Sequence, residues 1–300
     1  MNIQKNSDMK YFKDKNALSM PWVESPFFYE LLKNSDLTQK QKDIAIKYHE
    51  QGYLIIDLNL QDIEINDIMT DVYKAIDEDT ARLQADHYQY NESPRVFEGW
   101  KESQNIKDLV LNKKIMDTLQ FLYQKEPLPF STINFIRGSN QPLHSDAIHF
   151  HTIPQLWMVG VWVALENSNK NNGGLRIVPG SHKWGTYEYH NLNLPHPDNR
   201  KNGEKENYRD YEQFIRELVI AKKGKEIVPE IKKGQALIWA SNMLHGGTPI
   251  IDKKSTRKSQ AIHYFFEGCE HYYHPMFSEP LKGKYAKKWC NDKNNIKTTK

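Results

Sequence analysis

Two imidazoles and a carboxylate are the best-placed chemistry in this chain. His144 and Asp146 flank Ser145, and His245 follows 101 residues later in SNMLHGG. On extended backbone, residues i and i+2 project to the same side, so His144 and Asp146 can reach one point in space. Two histidines and one carboxylate form a facial triad suited to non-haem Fe(II), with three coordination positions left open. His-x-Asp alone also describes a polar pair at a strand end, so the neighbouring residues matter.

Arg257 stands twelve residues after His245, at the start of RKSQAIHYFFE. Strand alternation puts it on one face with Ser259 and Ala261, a long cation beside small side chains. That arrangement leaves room for a small dianion, which a guanidinium grips in bidentate fashion. In LWMVGVWVALE, Trp162 shares its face with Gly160 and Ala164, which suggests a cavity wall, while the opposite face is bulky. Asn134 is a candidate hydrogen-bond donor to a co-substrate, or a satisfied core amide. His149 and His151 could form a second metal pair but lack a partner carboxylate, so contact with substrate suits them better. His263 is expected to pack inside the barrel, and the His/Tyr cluster of CEHYYHPMF (269–277) to line an entrance or face solvent.

The elements that must position these residues divide in two. Residues 1–127 look mainly helical. A helix is expected over 37–51, with Thr38 as N-cap and Gly52 as its stop, followed by a buried strand at 53–57. Further helices are expected over 62–82 and 106–124. After Pro127, short strands are expected at 131–137, 144–150, 156–166, 174–180, 225–231, 235–241 and 257–267, separated by turn signals. The fold class is therefore α+β: a jelly-roll or cupin-like double-stranded β-helix over 128–268, with N-terminal helices packed on it. Residues 269–300 form a C-terminal extension of this single 1–300 domain. The long charged stretch 186–224 is either a lid insertion or a mobile excursion, with a short helix at DYEQFIRELVI.

LHSDAIHF, VGVWVALENSNKNNGGLRIVPGSHKWG, KKGQALIWASNMLHGG and RKSQAIHYFF together resemble the phytanoyl-CoA dioxygenase family of Fe(II)/2-oxoglutarate oxygenases, over roughly residues 38–266. The resemblance implies His144, Asp146 and His245 as iron ligands and Arg257 as the anchor of the distal carboxylate of 2-oxoglutarate. It implies Trp162 beside the co-substrate and a turn at Pro179-Gly180-Ser181 beside the site. Family members often carry a small hydroxyl residue two places after the second histidine. Here that place is Gly247, with Thr248 next to it as the substitute. The implied reaction uses Fe(II), 2-oxoglutarate and O2, releases succinate, and hydroxylates an unactivated C–H bond of a small metabolite. Retention of Asp146 disfavours a halogenase.

Composition sets outer bounds. Forty-one basic against 38 acidic residues leave a net charge of +3, too balanced to imply nucleic acid or a membrane as partner. Cys269 and Cys290 show no metal-type spacing and read as reduced thiols. The polar N-terminus and the lack of any long apolar run fit a soluble cytoplasmic protein. The tail 281–300 holds seven Lys and one Asp, the pattern of a solvated end. Two competing readings share the ligand set: a non-catalytic metal- or ligand-binding barrel, and a Zn hydrolase. The hydrolase would not need a buried arginine, and an intact ligand set argues against a degenerate barrel.

Overall fold

A computed structural model describes residues 9–77, 94–194 and 204–286, the first four of the last span as backbone only. The first part is mainly helical: α1 (Lys10–Lys13), α2 (Phe28–Lys33), α3 (Gln39–Gln51), α4 (Asp62–Asp77), α5 (Gln104–Val110) and α6 (Lys113–Tyr123). Between them run β1 (Tyr53–Asp57) and β2 (Arg95–Phe97). The strands β3 (Pro127–Phe135), β4 (His151–Ile153), β5 (Met158–Ala164) and β6 (Leu175–Ile177) follow, then α7 (Glu204–Ala221). The chain closes with β7 (Gln235–Ala240), β8 (His245–Gly247), β9 (Ser259–Phe266) and β10 (His271–Tyr273).

The strands build a jelly roll. β1, β7, β5, β9, β3 and β2 form, in that order, a six-stranded antiparallel sheet, while β6–β8 and β10–β4 form short ladders. Isolated bridges extend the β6–β8 ladder to His144 on one side and Ile227 on the other. Alternation along β5 sends Val159, Val161 and Val163 outward into the main core, where Ile65, Ile68, Leu109, Ile115 and Leu119 of the helices bury them. Gly160 and Trp162 are left on the inner face. Among the described residues, no helix is long and apolar enough to cross a membrane.

Local signals mark most boundaries. Thr38 and Gln41 form a reciprocal capping box at the start of α3, and Gly52 ends it in the left-handed region at φ 76°. Residues 106–124 are two helices rather than one, because Asn112 accepts hydrogen bonds from the backbone of Lys114 and Ile115 and caps a fresh start. Residues 144–150 are not a strand: only His144 is bridged, and Asp146–Ile148 is a 3-10 turn. The expected strand at 225–231 reduces to single bridges at Ile227 and Ile231, since Pro229 between them has no N–H to donate. The 62–82 helix is described to Asp77, and 78–82 lie outside the described residues, as do 195–203 of the long insertion and 287–300 of the Lys-rich tail.

The described part of 186–224 is packed wall rather than excursion. α7 is longer than the short helix expected there, and its Tyr208, Tyr211, Ile215 and Val219 bury themselves against Leu143, Ile148, Val178, Leu244 and Met276. The PGSH turn braces the second ligand segment. Ser181 Oγ accepts from Leu244 N–H at 2.8 Å, and the His182 carbonyl accepts from Asn242 Nδ2 at 2.6 Å.

The His182 ring lies over the α3 stop, where a Cβ on Gly52 would sit 2.4 Å from Nδ1, and its Nε2–H donates to the His49 carbonyl at 3.0 Å. Burial, ahead of any neighbouring charge, drives the His182 pKa down to about 4. The unfolded chain takes up this proton below about pH 6.5, whereas the folded chain resists it until about pH 4. Stability is therefore full above that window and falls as pH drops through it, by on the order of 3 kcal/mol from this group. Urea unfolding of the metal-free protein at pH 7, 5.5 and 4.5 is expected to show this slope, and His182→Gln to flatten it. An unchanged slope in the variant would refute the assignment.

Candidate metal centre and its cavity

The two histidines are brought together by backbone pairing. His144 N–H donates to the His245 carbonyl and His245 N–H to the His144 carbonyl, both at 2.9 Å. A doubly bonded antiparallel pair projects both side chains from the same face, and the ring centroids lie 4.5 Å apart. Ser145 is extended (φ −110°, ψ 147°), which returns Asp146 to that face just before the chain turns. One extended residue thus does what a whole strand was expected to do. Donor atoms of His144, Asp146 and His245 all lie within 4.8 Å of one another, and all three residues are buried.

Hydrogen bonding sets the tautomers. His144 Nδ1 lies 2.9 Å from the Pro142 carbonyl, and His245 Nδ1 lies 3.1 Å from that of Met243. A carbonyl only accepts, so each Nδ1 carries the proton and each Nε2 lone pair is left for a metal. These Nε2 atoms lie 4.0 and 3.5 Å from Asp146 Oδ1. The Gln141 amide reaches His144 Nε2 at 3.3 Å. Asp146 Oδ2 faces the other way, accepting from Trp239 Nε1 at 2.7 Å, with His263 Nε2 at 3.7 Å.

Burial and charge keep this set in the state a metal needs. Burial, reinforced by His245, lowers the His144 pKa to about 4, so the ring is neutral at physiological pH. Burial alone would raise the Asp146 carboxyl. His245, His263, His144 and the Trp239 N–H outweigh it and hold the group below its ordinary range. Two buried imidazoles, each with Nε2 turned toward the same point, and one carboxylate match the donor set of an Fe(II) facial triad.

The triad opens into a cavity of about 230 Å³. Arg257 lines it, 1% exposed, with Nη1–H donating to the Gly173 carbonyl at 3.3 Å. Its guanidinium lies 5.2 Å from the Trp162 ring and 5.4 Å from that of Phe135. Nε is buried without a partner, and no acidic side chain among the described residues forms an ion pair with it. Burial, then Arg95, lowers its pKa to about 9 against the pull of Glu166, so it stays charged at neutral pH. A buried cation with no counter-ion is costly, and the cavity in front of it is where an anion would offset that cost.

Other expected site residues fall differently. Trp162 lines the cavity, but the space at Gly160 is filled by the Trp239 ring. Asn134 is on the opposite face of β3 from the cavity-lining Ile133 and Phe135, and its Nδ2 donates to Gln260 Oε1 at 3.0 Å. Thr248 spends its hydroxyl on the Gly174 carbonyl at 3.1 Å and does not line the cavity. A Cβ on Gly247 would meet Ser139 Oγ at 2.6 Å, and Ser139 does line it. His151 is fully buried against Glu188, which also accepts from Tyr273 OH at 2.7 Å, so it serves packing. His149 and His263 both line the cavity; the latter is buried inside the barrel and also reaches Asp146. In 269–277, Tyr273 and Met276 are buried rather than solvent-facing, and the His274 ring lies 6.0 Å from His149.

Three contributors carry no motif. Trp239 was hidden in a strand that reads as core, although a tryptophan paired across the ladder with Gly160 is a signal of close approach. Tyr208 and Tyr211, three apart on α7, reach the His144–His149 segment: Tyr208 OH lies 3.1 Å from His149 Nε2, and Tyr211 OH accepts from Ser145 N–H at 3.0 Å.

Fold and site describe a jelly-roll protein with two histidines and one carboxylate placed to hold a metal and a cation in the same cavity. The chain belongs to the phytanoyl-CoA dioxygenase (PhyH) family, whose model matches residues 48–259, a span that includes His144, Asp146, His245 and Arg257. A probable alpha-ketoglutarate-dependent hypophosphite dioxygenase of Stutzerimonas stutzeri is 28% identical over 160 residues, covering 49% of this chain and 55% of that protein. Human peroxisomal phytanoyl-CoA dioxygenase is 26% identical over 136 residues, covering 45% and 36% respectively. The match thus spans from about a third to about half the length of these relatives. Among solved structures, EctD from S. alaskensis with 2-oxoglutarate and 5-hydroxyectoine superposes with a TM-score of 0.56 at 19% identity, covering 77% of this chain and 76% of that one. The non-heme alpha ketoglutarate dependent carbocyclase SnoK from nogalamycin biosynthesis gives 0.56 at 16%, covering 78% and 86%. At such identities the likeness shows the shared fold.

Tyr211→Phe removes the acceptor of a buried N–H between two ligands. It is expected to cost about 1–3 kcal/mol in urea unfolding and to weaken metal binding in the same protein. No change in either would show that α7 does not support the centre.

Proposed function

We propose that this protein is an Fe(II)- and 2-oxoglutarate-dependent oxygenase that hydroxylates an unactivated C–H bond of a small metabolite. The observation that carries this reading is Arg257: an unpaired, buried guanidinium in the cavity onto which His144, Asp146 and His245 also open. A Zn hydrolase has no need of such a cation, and a barrel that only binds a ligand would give no succinate. Iron with 2-oxoglutarate supplies, when bound, the O2-driven oxidation that releases succinate and CO2.

The chain's own residues do the rest. His144, Asp146 and His245 would hold the metal, the histidines through Nε2 and the aspartate through its carboxylate. Arg257 would hold the far carboxylate of the co-substrate, with Trp162 and Phe135 flanking the guanidinium. His263 is six residues from Arg257 in the same run, roughly 20 Å of extended chain. His149 and Phe150 line the same cavity, and with His263 they are the side chains a substrate would meet beside the metal. A cavity of about 230 Å³ is below the roughly 300–1,000 Å³ of sites for drug-sized ligands, which supports a small substrate. The names of a hypophosphite dioxygenase and of a 5-hydroxyectoine complex among the similar proteins support the same size class.

Purified protein given Fe(II), 2-oxoglutarate and O2 is expected to release succinate slowly without substrate, and chelation by EDTA to abolish it. Arg257→Ala is expected to raise the KM for 2-oxoglutarate about 100-fold, the cost of removing one member of a buried charge pair, with metal binding retained. Absence of both succinate release and 2-oxoglutarate binding in the metal-loaded protein would sink the proposal.

A further inference from the structure

We infer that Trp239 is a positioning residue that holds Asp146 as a one-oxygen metal ligand, and that Gly160 is the space the sheet leaves for it. The inference rests on the proposed metal centre and concerns how that centre keeps its open positions.

Trp239 on β7, Gly160 on β5 and His263 on β9 are direct cross-strand partners, so the three lie in one row on the inner face of the large sheet. A Cβ at Gly160 would sit 2.3 Å from Cε2, 2.4 Å from Cζ2 and 2.6 Å from Nε1 of Trp239. The indole therefore lies across the glycine, and no other residue at 160 admits it there. From that position Nε1–H points at Asp146 Oδ2, 2.7 Å away, while His263 Nε2 lies 3.7 Å from the same oxygen. The indole also leans on the second ligand, its ring 4.5 Å from that of His245 at 41°. A partner for a buried indole N–H is not automatic in this molecule: Nε1 of Trp22 and of Trp162 are buried without one.

The consequence is chemical. A carboxylate can bind a metal through one oxygen or through both. Two-oxygen binding would occupy one of the three positions that a facial triad leaves for co-substrate and O2. An indole N–H donates and cannot accept. It thus engages Oδ2 and leaves Oδ1 as the oxygen that faces His144 and His245.

Trp239→Phe keeps a ring in the row and removes the N–H. Gly160→Ala keeps the tryptophan and displaces it. Co(II) titration of each metal-free protein, followed by calorimetric titration of the Co(II)-saturated protein with 2-oxoglutarate, reads the effect without turnover. Trp239→Phe is expected to weaken Co(II) binding 10- to 100-fold and 2-oxoglutarate binding by about 10-fold or more. The thermal midpoint of the metal-free protein should stay within a few degrees. Gly160→Ala should move both affinities in the same direction, and it decides the matter if Trp239→Phe does not fold. Wild-type affinities in both variants would overturn the inference, as would a lowered midpoint with unchanged affinities, which marks a packing role. Failure of the wild-type protein to bind Co(II) or 2-oxoglutarate would instead strike the proposed function.

Discussion

Two reciprocal backbone hydrogen bonds join His144 to His245 across 101 residues of chain, and the site is organised around them. A pair of this kind decides more than proximity. It determines that both imidazoles leave the same face, and it ties the loop after β3 to the short β6–β8 ladder. The remaining ligand then needs a single extended residue, Ser145, to join them. The PGSH turn, Asn242 and the Val178–Leu244 backbone bond hold the second half of the pair in register. None of these groups would touch a metal, yet each limits where the donor atoms can stand.

The electrostatics of the cavity follow from the same burial. Removing water makes His144 neutral, leaves Asp146 anionic because imidazoles and an indole surround it, and strands a cation at Arg257. A site built this way has unfilled demands at both ends: a divalent cation at the triad and an anion at the guanidinium. A dicarboxylic acid that chelates the metal with one end and reaches the arginine with the other satisfies both together, which is why the two features are stronger in combination than either alone.

Much of this was legible in the residues. The α3 box at Thr38 and Gln41, its Gly52 stop and the alternation in β5 and β9 are local signals, and the structure follows them. His-x-Asp and the distant His were readable by type, and Arg257 by its small neighbours. What was not legible depends on contacts between distant segments. Asn134 sits on a strand whose phase cannot be told from composition, and it turned to the helical side to meet Gln260. His263 is expected inside the barrel and is buried there, but nothing in sequence shows that β9 brings it to Asp146. The small residue at Gly160 suggests open space beside Trp162, but that space is occupied by the Trp239 ring from the neighbouring strand. The strand expected at 144–150 gave way because the 3-10 turn at Asp146–Ile148 interrupts it, and no alternation pattern announces that.

The docking of α7 has a mechanical consequence. Tyr211 grips the backbone between the first two ligands, and Tyr208 grips His149 on the wall three residues beyond the second. The helix cannot swing outward to widen the chamber without letting go of the loop that carries His144 and Asp146. Admission of a bulky guest would therefore compete with retention of a metal at these residues, and tight holding would go with a chamber that stays narrow. Diversification of the guest is then easiest at positions that border the chamber without holding α7, such as Phe150 and Phe97.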